Sequence, residues 1–140
     1  MAAGLFRALV KESPALGNVR VDVDSAGLAA GVGSPAAVEA VEAMRSRGVD
    51  ISGHEARAVG DDTPQYDLIL TMTEEHKAQI LLRYPECAAN VFTLKEYARA
   101  EGSKNISDPF GLGDEAYQKA LDEIERAVRG AVRRLAQDWS

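Results

Sequence analysis

The sequence predicts an α/β domain: a small three-layer parallel sheet with helices on both faces. Three observations carry this. Residues 66–72 (Tyr-Asp-Leu-Ile-Leu-Thr-Met) and 91–94 (Val-Phe-Thr-Leu) are short apolar runs, as in strands covered on both faces. Residues 19–24 (Val-Arg-Val-Asp-Val-Asp) alternate apolar and charged side chains, as in a half-exposed strand near an edge. Helical segments separate these runs, and strands joined by helical crossovers pair in parallel. A length of 140 residues predicts one domain spanning 1–140.

The chain in order supports that reading. Leu5, Phe6, Leu9 and Val10 form a helical stripe over residues 1–12, ended by Pro14 and Gly17. After the 19–24 strand, Ser25-Ala26-Gly27 opens a loop of small residues running to Gly33. Ser34 as N-cap and Pro35 at the first helical position start the next helix, and Gly48 stops it. Residues 49–60 read as a loop with a short extended piece. Thr73 caps a helix over 74–84, with Glu74 and Glu75 favourably placed against its dipole and Pro85 closing it. Residues 95–99 suit a helical turn. Asp114 is expected to cap the last helix, whose stripe is Tyr117, Leu121, Ile124, Val128, Val132 and Leu135. That helix runs to about Gln137, with Trp139 packed or frayed beyond it.

Composition narrows the function. Apolar content of 46% and charged content of 27% describe a globular protein, and a net charge of −6 gives no basic footprint for nucleic acid or an anionic membrane. No apolar run approaches the roughly 18 residues that a membrane span needs, and the first residues lack a secretory pattern. The expected location is the cytoplasm. The single cysteine, Cys87, permits no intrachain disulfide.

Chemistry gathers in one loop. Asp108-Pro109 holds a carboxylate on stiff backbone, Phe110 sets an aromatic beside it, and Gly111 permits a tight turn. A held carboxylate beside an aromatic wall suits a general acid; the simpler reading is an aspartate that caps a turn. In parallel α/β folds ligands sit beyond the carboxyl ends of the strands, which places Ser25, His54, Arg57, the 71–73 turn and Asp108 together. One histidine among carboxylates is common by chance, so no metal site is expected. No phosphate-cradling loop follows a first strand, because no strand precedes the first helix.

The sequence resembles the low-molecular-weight protein-tyrosine phosphatases, in particular the bacterial branch that includes protein-arginine phosphatases. The resemblance covers essentially the whole chain. It rests on Met-Ala-x-x-Leu-Phe-Arg at 1–7, Ser-Ala-Gly at 25–27, Ser-Pro-x-Ala-Val-Glu-Ala at 34–40 and His-x-Ala-Arg at 54–57. It continues through Tyr-Asp-Leu-Ile-Leu-Thr-Met-Thr at 66–73, Val-Phe-Thr-Leu-Lys-Glu-Tyr at 91–97 and Asp-Pro-Phe-Gly at 108–111.

The resemblance implies dephosphorylation of phosphotyrosine or phosphoarginine in proteins through a phosphocysteine. It implies Asp108 as general acid, Phe110 against the substrate, Ser25 and His54 supporting the phosphate loop, and no cofactor or metal. It also implies a first buried strand and a Cys-x5-Arg-Ser-Pro loop that the 140 residues do not contain. The chain is therefore expected to be N-terminally truncated relative to the family, missing the first sheet strand and inactive as it stands. Cys87 cannot replace the nucleophile, since Thr93 stands where the arginine would be. Two alternatives remain: a non-catalytic phosphatase-like binding domain and, with less weight, a thioredoxin-coupled arsenate reductase, which needs more cysteines than one. The expected partner is a phosphorylated protein, and an exposed sheet edge favours a homo-oligomer.

Overall fold

The structure, a computed structural model, describes residues 1–17, 19–27, 36–55 and 57–139. Its elements in order are α1 (Ala2–Glu12), α2 (Val38–Arg45), β1 (Ile69–Thr71), α3 (Glu74–Arg83), β2 (Val91–Thr93), α4 (Leu94–Tyr97) and α5 (Asp114–Trp139). Single 3-10 turns at Pro14–Leu16, Thr63–Gln65 and Pro85–Cys87 each begin at or beside a proline, whose fixed φ suits the first position of a turn.

β1 and β2 pair in parallel, Ile69 opposite Val91 and Thr71 opposite Thr93. The pair divides two apolar clusters. Ile69 and Val91 face a small one under α3 with Ile80, Cys87 and Val59. Leu68, Leu70 and Phe92 face the main core with α1, α2, α4 and α5. Helices thus cover both faces, as the sequence predicts.

The helices stop and start where their capping chemistry says. Thr73 accepts a hydrogen bond from the His76 backbone N–H at 3.1 Å. Thr93 and Glu96 form a reciprocal capping box around the first turn of α4. α2 stops at Gly48, whose φ of +77° suits glycine, with Val49 N–H donating to the Met44 carbonyl. α4 ends on Arg99 at φ +58°, the one non-glycine residue with positive φ among those described. α5 buries Leu121 and Val128 completely, each contributing about 1.5–3 kcal/mol. Gly130 lets α5 approach α4 closely: a Cβ there would lie 3.0 Å from both Ala98 Cβ and the Ala98 carbonyl oxygen.

Three expectations change. Residues 19–24 are extended, and their parity is as predicted: Val19, Val21 and Val23 pack against the main core while Arg20, Asp22 and Asp24 are exposed. They are not a strand, because among the described residues nothing pairs with them as a ladder. The Arg7 guanidinium instead donates to the Val23 carbonyl at 2.6 Å. Only a parallel bridge between Gly27 and Ala58 continues the extended path. Asp114 is the first residue inside α5 rather than its cap, and the turn starts with Tyr117 N–H donating to the Gly113 carbonyl. Trp139 closes α5. The Ser34-Pro35 helix start and the loop at 28–33 lie outside the described residues.

Candidate active site

The Asp108 loop is held at its root. Ile106 N–H donates to the Met72 carbonyl at 2.9 Å, and Asn105 Oδ1 accepts from Glu74 N–H at 2.7 Å. The first bond ties the loop to the C-terminal end of β1; the second ties it to the start of α3. Ile106 and Pro109 are buried, while Asp108 and Phe110 face outward. Asp108 Oδ1 accepts the Phe110 backbone N–H at 3.0 Å, so the carboxylate does turn its own loop, as the simpler reading holds. Its other oxygen remains on an exposed side chain. Phe110 is 71% exposed, and positive φ at Gly111 and Gly113 folds the tip so that Leu112 is 69% exposed beside it. Beneath the loop Tyr117 is buried, and its phenol is pushed up by desolvation and, less, by the charges of Glu39 and Asp108.

Ser25 and His54 are both exposed. His54 sits on a tight turn, its N–H donating to the Ile51 carbonyl at 3.0 Å. The end of the extended segment at Ser25 is fixed by the Gly27 bridge, with Gly27 N–H donating to the Arg57 carbonyl at 2.9 Å and Val59 N–H to the Gly27 carbonyl at 3.0 Å. Arg57 also clasps this region through its side chain, donating to Asp62 at 3.0 Å and lying 3.8 Å from Asp24. Tyr66 donates to the same Asp24 carboxylate at 2.9 Å. That hydrogen bond, with partial desolvation, raises the Tyr66 phenol above its ordinary value. Sequence reading assigned Arg57 no role. Its partners lie up to tens of residues away, and the only available signal was a cation placed between Asp24 and Asp62.

Ser25, His54, Asp108 and Phe110 all line one cavity of about 1510 Å³. Its walls are the face of α1, residues 19–27, residues 48–54 and the free edge of β1. The four predicted site residues, far apart in sequence, thus share one space, reached from the carboxyl ends of the strands. Cys87 is elsewhere, buried in the smaller cluster under α3. Burial, and then the neighbouring Glu86, push its thiol up, so it is not a ready thiolate. Among the described residues no group of three or more His, Cys, Asp or Glu side chains could hold a metal ion, and no helix is long and apolar enough to cross a membrane.

Comparison with known proteins gives the family of the chain. The family model for low molecular weight phosphotyrosine protein phosphatase matches residues 1–140. A protein-arginine-phosphatase of Bacillus subtilis is 30% identical over 138 residues, covering 99% of this chain and 89% of that protein. A probable low molecular weight protein-tyrosine-phosphatase, EpsP, of Ralstonia nicotianae is 38% identical over 116 residues, covering 82% of this chain and 77% of that protein. Among solved structures, a mutant of the YwlE arginine phosphatase with a phosphorylated active-site serine superposes with a TM-score of 0.87 at 30% identity, over 99% of this chain and 88% of that one. The chain belongs to the low-molecular-weight phosphotyrosine protein phosphatase family.

Proposed function

We propose that this chain carries the acid–base half of a cysteine-dependent protein phosphatase acting on phosphotyrosine or phosphoarginine. The observation that supports it is the shared cavity: Asp108, Phe110, Ser25 and His54 all face one space, in a chain of the phosphatase family. A thiolate attacks phosphorus, and the bond to the phenolic oxygen or guanidinium nitrogen breaks with its electron pair going to the leaving atom. The Asp108 carboxyl gives that atom its proton. The resulting carboxylate then takes a proton from water as the water attacks the phosphocysteine, releasing phosphate and regenerating the thiolate. The phosphorylated active-site residue of the YwlE mutant supports a covalent phosphoenzyme in that relative. Phe110 stands at the mouth to flank the phosphorylated side chain. Ser25 and His54, on backbone held by the Arg57 clasp, support the phosphate loop.

The thiolate is not among these 140 residues, since Cys87, the single cysteine, is buried and does not line the cavity. The chain alone is accordingly a phosphatase-like protein without turnover, located in the cytoplasm, whose partner is a phosphorylated protein. The test is hydrolysis of para-nitrophenyl phosphate by the purified 140-residue chain. No rate above buffer is expected for it or for Asp108→Ala. A rate abolished by Asp108→Ala would overturn the proposed inactivity. A second reading, a non-catalytic binding domain, is favoured by the lack of any Cys-x5-Arg pattern in the sequence.

A further inference from the structure

Single exposed apolar side chains are ordinary on a protein surface; two on one fixed turn are not. Among the described residues the large apolar side chains left in solvent are Val38, Leu82, Phe110, Leu112 and Trp139. Leu82 stands alone on α3, but Phe110 and Leu112 share the turn that follows Asp108. Gly111 and Gly113, at φ +79° and +91°, fold that turn. Leu112 N–H closes it on the Pro109 carbonyl at 3.0 Å, and Phe110 N–H on Asp108 Oδ1 at 3.0 Å. Backbone that is already folded thus holds both side chains outward, and covering them with a partner costs little further ordering. The charge around the turn has one sign. Residues 105–118 carry Asp108, Asp114 and Glu115 and no lysine or arginine; residues 36–44, which start α2, carry Glu39 and Glu42 and none either. The buried Tyr117 phenol feels the charges of both Glu39 and Asp108, so the start of α2 lies close to the loop.

We infer that Phe110 and Leu112 form an apolar shelf that seats an apolar residue next to the phosphorylated one, in protein segments that carry lysine or arginine just beyond it. Leu112 is then the specificity-determining residue for the flank, and Asp114 and Glu115, exposed one and two positions past Gly113, meet the basic side chains. The charge argument fixes the chemistry of the partner. A phosphate group is an anion, and an acidic rim repels it; basic residues in the same segment reverse the sign of that long-range interaction. They act on the approach and on the choice of partner, while the apolar contact supplies the burial. A second copy of the chain does not suit the shelf. A symmetric contact through this turn brings Asp108, Asp114 and Glu115 of one copy against the same residues of the other, with no cation in residues 105–118 to offset them.

The inference rests on the proposed function for the phosphate at the centre of the segment; the docking itself is read without phosphate. The experiment uses the full 140-residue chain, isotope-labelled for amide NMR, and three unphosphorylated peptides. They are Lys-Lys-Leu-Tyr-Leu-Lys-Lys, the same peptide with both leucines replaced by serine, and the same peptide with all four lysines replaced by glutamate. The first should shift the Phe110 and Leu112 amides saturably, and the other two should bind about fivefold or more weakly. Leu112→Ser, a change at an exposed position, should bring the first peptide down to the level of the serine peptide while the amides of α5 stay in place. The double variant Asp114→Asn, Glu115→Gln should narrow the gap between lysine and glutamate peptides. Three results overturn the inference: no saturable shift at these amides, shifts spread evenly over the surface, or equal binding of the three peptides. Leu112→Ser without effect on the first peptide overturns it too. Para-nitrophenyl phosphate has no flanking residues, so its hydrolysis bears on the phosphatase reading alone, and the peptides, lacking phosphate, bear on the shelf alone.

Discussion

The two sides of the sheet edge differ sharply. Around α5 the molecule is closed: Leu121, Val128, Met44 and Leu94 are almost wholly buried, and α4 is capped at its start by the Thr93–Glu96 box. Arg47 ties α2 to α5 through Asp122 and Glu125, and Lys95 ties α4 to α5 through Glu123. Arg134 lies 4.3 Å from the Tyr97 ring centroid and 5.2 Å from that of Phe92, filling the remaining gap with a cation over aromatic faces. Beyond β1 the molecule is open, and Val19, Val21 and Val23 are only partly buried against the core. Stability thus resides in the helical half, while every candidate site residue borders the open half. The fold separates what holds it together from where the candidate site residues lie.

That contrast is breakable. Leu121→Ala should cost about 2–5 kcal/mol, because it leaves a void in closed packing. Val21→Ala, on the cavity wall, should cost less than about 1 kcal/mol, since its side chain is only half buried and its neighbours already border open space. Equal losses in urea unfolding would show that the two halves form one uniformly packed unit. Gly130→Val should cost about 1–3 kcal/mol by forcing α5 from the Ala98 backbone, read from the same curves.

Alkaline unfolding sharpens the comparison. Tyr97 is buried in the closed half, and desolvation, followed by its hydrogen bond to Asp138, pushes its phenol up to about 12. The folded value lies above the unfolded one, so this contribution is complete below pH 10 and is lost as pH rises toward 12. Melts across that window should show a loss on the order of 2 kcal/mol that Tyr97→Phe removes. A helix cap in the closed half gives a modest effect: Thr93→Ala should cost about 1 kcal/mol, seen as a lower midpoint in the same melts.

The helices were legible because their signals are local. Thr73, Gly48 and the stripe from Tyr117 to Leu135 each act within a few residues. The 19–24 segment was half legible. Alternation fixes which side chains face the core, but a strand also needs a neighbour's backbone, and no local pattern reports that. The Asp108 loop could be picked out because proline and aspartate restrict their own backbone. Its convergence with Ser25 and His54 could be expected only from the parallel fold. The clasp of Arg57 on Asp24 and Asp62 was illegible, since a guanidinium in a loop finds its carboxylates only after the chain has folded.

The double anchor of the Asp108 loop has a consequence for exchange with solvent. Ile106 donates its amide hydrogen to β1 from a buried position, whereas Leu112, at the exposed tip, donates only to the Pro109 carbonyl within the same turn. Deuterium should enter the tip quickly and the root slowly. Asp108 lies between these regimes, two residues from a fixed point and three from Gly111 of the tip. Ordering of the tip by a ligand would appear as slowed exchange at Leu112 with little change at Ile106.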